Sequence, residues 1–146
     1  MNAPSAVVVA HLVATLFMVG LIWFVQVVHY PLMAGVGREH FVAYEERHRN
    51  RTAVVVGPPM AVEGVCTLWL FIAPPHGMGR AVPFIGGVLL AVVLASTVWL
   101  QVPMHERLSR GFDTDASRRL VVTNWVRTLG WSARGVVAVL MMAVSV

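Results

Sequence analysis

The chain has 146 residues, of which 58% are hydrophobic and 12% charged, and it carries a formal net charge of +4. A soluble domain has roughly 25% charged residues, so this composition cannot clothe a water-facing surface, and the lipid bilayer is the expected solvent and first partner. All basic groups are arginine, and no basic stripe is interleaved with exposed aromatics. That pattern argues against nucleic-acid binding and reads as membrane orientation. The single cysteine, Cys66, excludes an internal disulfide.

The opening MNAPSA has no positive n-region. The apolar stretch behind it is longer than the roughly 7–15 residues of a signal h-region, so this segment is expected to be retained. Four segments are long enough to span, given roughly 20 apolar residues per crossing; they cover about 6–29, 53–73, 83–102 and 120–146. Arg38, Arg47, Arg49 and Arg51 fall in the first connection, and Arg107, Arg110, Arg118 and Arg119 in the third, against Arg80 alone in the second. The positive-inside rule therefore places the first and third connections in the cytoplasm of a bacterial-type inner membrane and both termini outside it. The stretch REHFVAYEERHRNR predicts a short interfacial helix at about 38–50, between the first two spans. The expected fold is all-α: one transmembrane domain over residues 1–146, built as an antiparallel four-helix transmembrane bundle.

At 3.6 residues per turn, each predicted helix gathers its polar residues on one face. His11, Thr15, Gln26 and His29 do so on the first helix, and Pro59, Glu63, Cys66 and Thr67 on the second. Thr97, Gln101 and His105 follow on the third, and Asn124, Arg127, Trp131 and Arg134 on the fourth. Helix association in lipid needs no such polar filling, so the four stripes imply a shared interior with a buried site. Arg127 and Arg134 lie inside the last apolar run, where an unpaired charge costs roughly 2.5–3.5 kcal/mol even on lenient scales. Their expected partner is Glu63, the lone carboxylate of the second span. At about 1.5 Å per residue, Glu63 and Arg134 fall near mid-membrane. His29, Glu45, His48, Gln101 and His105 gather at the cytoplasmic end, which predicts a funnel opening inward.

Imidazole and carboxylate together suit Fe, Cu, Mn or Zn. Glu45 and His48 form a Glu-x-x-His unit, the ligand unit of di-iron and di-manganese four-helix proteins, present here once. One expectation is therefore a transition-metal site drawn from His29, Glu45, His48, Glu63 and His105. Plainer alternatives stand beside it. The loop histidines, His40 included, can be solvated; Glu63 can serve only as the ion-pair partner of Arg127 or Arg134; Cys66 can be packing. Guanidinium groups stay protonated. Arg127 and Arg134, with Asn124 and Glu63, are thus expected to orient a reacting group or stabilise developing charge, and Tyr30 and Tyr44 to lend hydrogen bonds. His11, near the outer end, is a candidate haem ligand.

The segments NWVRTLGWSARGVVAVL and QVPMHERL, together with the size and hydropathy of the chain, resemble the anthrone-oxygenase-like family of small four-helix membrane proteins over about the last third of the sequence. In that family an Asn and an Arg on the last helix follow a polar loop, and the corresponding positions here are Asn124, Trp125 and Arg127. The resemblance implies oxygen-dependent oxidation of a lipophilic, often aromatic, substrate. The opening HLVATLFMVGLIWFVQVVHY is similar, over about twenty residues, to the first helix of the HemJ-type haem-binding protoporphyrinogen oxidases, whose later-helix lysine has no counterpart here. The expected function is an integral membrane oxidoreductase, a metal-dependent oxygenase of a small lipophilic substrate. The alternatives are a haem-binding protein for electron transfer or porphyrin oxidation, and a non-enzymatic carrier or assembly subunit. The oligomeric state is not legible from the sequence.

Overall fold

The computed structural model describes residues 3–145, and nearly all of them are helical. Helix α1 (Ala3–Phe24) continues through a π-helical turn (Val25–His29) into α2 (Tyr30–Met33). Helix α3 (Arg38–Ile72) is one element of 35 residues. Helix α4 (Ala81–Ser96) continues through a second π-helical turn (Thr97–Gln101) into α5 (Val102–Leu108), and α6 (Thr114–Ala143) closes the fold. No strand occurs among the described residues, so the all-α class is observed.

Three helical stretches are long and apolar enough to cross a membrane: Ala6–Met33, Arg38–Ile72 and Ala81–Leu108. The 30-residue α6, expected as the fourth span, is not among these three over the described residues. The physical reason is that Asn124, Arg127 and Arg134 lower its mean hydropathy. The end of that expected span, Val146, lies outside the described residues. One correction concerns residues 38–50, which form no separate helix but are about the first third of α3. No breaker separates them from the apolar run, and the helix carries on through Pro58 and Pro59.

Both π-helical turns have a visible cause. Proline lacks an N–H and its ring crowds the carbonyl four residues back. Tyr30, immediately before Pro31, donates its N–H to Val25 O, and Val102, immediately before Pro103, donates to Thr97 O. Each is a bond five residues back, and this widened turn lets the helix pass its proline. Widened turns of this kind frequently mark functional sites. Here they carry Gln26 and His29 on one side and Gln101 on the other, one turn before His105.

Three apolar clusters line the interior. Tyr30, Met33, Phe41, Leu108 and Leu120 pack at the arginine-rich end, Met18, Ile22, Leu90, Val93 and Trp131 at mid-height, and Val8, Leu70, Met78 and Met141 at the far end. Trp23, Trp69, Trp99 and Trp125 face outward. Helix α6 approaches α4 so closely at Gly130 that an added Cβ would stand 2.6 Å from Val93 Cγ2. Valine is stiff about χ1 and cannot swing clear. Gly130→Leu is therefore expected to destabilise the fold by about 1–3 kcal/mol, read as a lower thermal midpoint in detergent; an unchanged midpoint would contradict this close approach.

The start of α6 is capped by Asp113, whose Oδ1 accepts from the Ala116 N–H at 2.9 Å while Oδ2 accepts from Arg107 at 2.7 Å. The Ala116 N–H, helped by Arg107, holds the Asp113 carboxyl below its ordinary pKa. The cap thus contributes fully at neutral pH. It is lost as the pH falls through that lowered value, and amide exchange in the first turn of α6 is expected to quicken there.

Candidate functional site

Tyr30 follows the first π-helical turn, Glu45 lies two turns into α3, and His105 sits in α5. The three meet in one line. His105 Nδ1 is 2.6 Å from Glu45 Oε1, and His105 Nε2 is 3.1 Å from the Tyr30 hydroxyl. A carboxylate only accepts, so Nδ1 carries the hydrogen, and in the neutral imidazole Nε2 is then the acceptor facing Tyr30. Glu45 is fully buried and Tyr30 nearly so. A buried carboxylate that fixes the tautomer of an imidazole is the arrangement that makes histidine a general base.

His29 and His48 lie beside this line, their rings stacked with centroids 4.4 Å apart, and the His48 and His105 centroids are 5.5 Å apart. His48 Nδ1 is 3.2 Å from the Thr52 hydroxyl. Two atoms here are buried without a partner, His29 Nε2 and Glu45 Oε2. Four of the five residues read as metal ligands (His29, Glu45, His48 and His105) thus gather at one end of the bundle. As they are placed, no three His, Cys, Asp or Glu groups among the described residues stand ready to hold a metal ion. His40, by contrast, is exposed beside Glu39.

A cavity of about 240 Å³ opens next to His105. Its apolar wall is Met18, Leu21, Ile22, Val25, Val56 and Val102, and its polar end is formed by Tyr30, His48, Gln101, His105 and Arg127. Arg127 is half-buried, and its Nη1 donates to Asn124 Oδ1 at 3.2 Å. Asn124 in turn donates to Gln26 Oε1 at 2.9 Å, and Gln26 donates to the Val121 carbonyl at 3.1 Å. This chain holds the Arg127 head against the cavity. Gln101, fixed by Ser96 and Thr123, also lines the cavity.

Glu63 does not join the histidines, which corrects the five-residue ligand set. It sits 18 residues beyond Glu45 on the same continuous helix, about 27 Å along the axis at 1.5 Å per residue. There Glu63 Oε1 accepts from Arg134 Nε at 2.6 Å and from the Thr15 hydroxyl at 2.9 Å. Arg134 also donates to Thr67 Oγ1 at 3.1 Å and to the carbonyl of Gly86. Of the two arginines read as partners of Glu63, the structure brings Arg134 to it and leaves Arg127 at the cavity. The Gly86 carbonyl escaped the sequence reading, because a backbone acceptor leaves no side-chain signal.

His11 belongs to this deep cluster. Its Nε2 lies 3.3 Å from Thr67 Oγ1 and 3.4 Å from Arg134 Nη2. An iron on Nε2 would have to displace the guanidinium that neutralises Glu63, so these residues do not fit a haem. Compared with known proteins, the chain matches no family model, no curated protein and no solved structure.

Proposed function

We propose that the chain is an integral membrane oxidoreductase that takes a proton from a small lipophilic substrate in the cavity beside His105. The observation that carries this reading is the Glu45–His105–Tyr30 line, with spacings of 2.6 and 3.1 Å, ending at an apolar cavity. Glu45 holds Nδ1–H and favours the imidazolium that forms on proton uptake. Nε2 receives the proton, directly or through the Tyr30 hydroxyl, and the electron pair stays on the substrate. Arg127, aimed by Asn124, faces the developing negative charge. Oxygen-dependent oxidation, implied by the sequence resemblance, would begin from this anion.

In this reading the four rods form an antiparallel bundle across the bilayer. Thr15 against Glu63 and His11 against Thr67 support opposite directions for α1 and α3, as do Gln26 against Asn124 and His11 against Arg134 for α1 and α6. The arginines of residues 38–51 and 107–119 support an orientation with the cavity end toward the cytoplasm and both termini outside. Dioxygen uptake by the reconstituted protein, measured with a panel of enolisable ketones and phenols, tests the proposal. Uptake with at least one compound is expected, with a loss of about 10²–10⁴-fold in His105→Ala. No uptake with any compound, or equal uptake by the variant, would refute it.

A second reading is favoured by the unpartnered His29 Nε2 and Glu45 Oε2. A transition metal (Fe, Cu, Mn or Zn) would draw on His29, His48 and Glu45 after the two stacked rings turn apart, with His105 held in place by the same carboxylate. Such a metal would supply Lewis-acid or redox chemistry at the cavity. Elemental analysis of the detergent-purified protein decides between them. About one metal per chain, lost in His29→Ala, supports the second reading, and less than about 0.2 per chain ends it.

A further inference from the structure

We infer that the cavity takes a small lipophilic carboxylate, and that this ligand enters sideways from the lipid between α1 and α3. The inference deepens the proposed reading by naming a ligand class, and it rests on the cavity being the site. Two arginines, the half-buried Arg127 and the exposed Arg49, are among the residues that line the cavity, and no carboxylate residue is. Each of the two buried carboxylates of the interior has a partner other than Arg127: Glu45 pairs with His105 beside the cavity, and Glu63 with Arg134 deep in the bundle. Arg127 has a neutral amide on Nη1 and a buried Nε without a partner. A half-buried guanidinium whose neighbours at the polar end of the cavity are neutral amide and hydroxyl groups calls for a counter-charge. An anionic oxygen at the polar end of the cavity supplies one, and carboxylate matches the fork of a guanidinium.

The size of the cavity narrows the ligand further. At about 240 Å³ it falls below the roughly 300–1,000 Å³ of drug-sized sites, which suits one short chain or ring and not a two-chain phospholipid. A second, shallower cavity of about 180 Å³ between α1 and α3 offers the route. Leu21, Val25, His48, Thr52 and Val56 line both spaces. The outer space is edged by Phe24 and Val55, which are exposed on the apolar flank of the bundle. A molecule dissolved in lipid meets that edge before it meets water.

Native mass spectrometry of the detergent-released protein tests the inference with octanoate, octanol and dihexanoyl phosphatidylglycerol as probes. Octanoate is expected to form a one-to-one adduct at least about tenfold tighter than octanol. Arg127→Gln should remove that preference, Arg127→Lys should keep part of it, and Val56→Trp should weaken both ligands by filling the shared wall. Equal affinity for octanoate and octanol in the wild type would overturn the inference, a comparison that needs no variant to fold. Displacement of octanoate by the phospholipid would also overturn it, by making the site a headgroup pocket. Octanoate binding retained in Glu45→Gln supports the ligand class whatever becomes of dioxygen uptake, so ligand class and proton relay fail separately.

Discussion

Glu63→Ala is expected to lose the folded bundle at temperatures where the wild type survives. The carboxylate is fully buried and neutralises Arg134, which is about 1% exposed. Removing one partner of such a pair leaves the other as an uncompensated buried charge, at a cost of about 3–5 kcal/mol. The stranded guanidinium would keep only Thr67, the Gly86 carbonyl and His11 around it, none of them an anion at neutral pH. Thr15 loses its acceptor in the same stroke. The double variant Glu63→Leu with Arg134→Met is expected to recover much of the loss, since replacing both charges with apolar groups of similar volume is often neutral or stabilising. Thermal unfolding of the three proteins in one detergent checks this. A single variant as stable as wild type would mean that the pair holds nothing together.

Glu45→Gln is expected to cost almost as much activity as His105→Ala. Gln keeps the size of the side chain, but its amide can present N–H to Nδ1 and so favour the wrong tautomer of His105. A base without its orienting carboxylate loses its tautomer and its aim, and a fall of about 10²–10⁴-fold in dioxygen uptake follows. Tyr30→Phe should fall less if the substrate reaches Nε2 directly, and as far if the hydroxyl relays the proton. Steady-state rates across pH in reconstituted protein separate these outcomes. A Glu45→Gln variant that folds and turns over like wild type would remove the carboxylate from the mechanism.

Much of this arrangement can be read from spacing, and the misreadings have physical causes. Helix existence follows from apolar run lengths, and position along the predicted spans places Gln26, His29, Gln101 and His105 at one end, although the two π-helical turns interrupt the 3.6-residue period there. A lone carboxylate and two arginines in apolar runs require partners, but period alone cannot choose between Arg127 and Arg134. Depth does: Arg134 lies seven residues further along α6 than Arg127, at the level of Glu63 and not at the cavity. The five-residue ligand set fails for the same reason. Glu45 and Glu63 share α3, and a rigid helix cannot fold its own ends together. The run of arginines and Asn50 looks like a boundary, which hides that continuity. The π-helical turns have a signal in Pro31 and Pro103, each preceded by a residue that bonds five positions back. Proline marks the strain, and only coordinates show how the helix relieves it.

Solution NMR of the ring N–H groups in ¹⁵N-histidine-labelled protein, reconstituted in nanodiscs, probes the Glu45–His105–Tyr30 line at its centre. His105 is expected to carry its proton on Nδ1, far downfield from its short contact with Glu45, with that signal lost in Glu45→Gln and shifted in Tyr30→Phe. A proton on Nε2, or an Nδ1 signal indifferent to Glu45→Gln, would contradict the account.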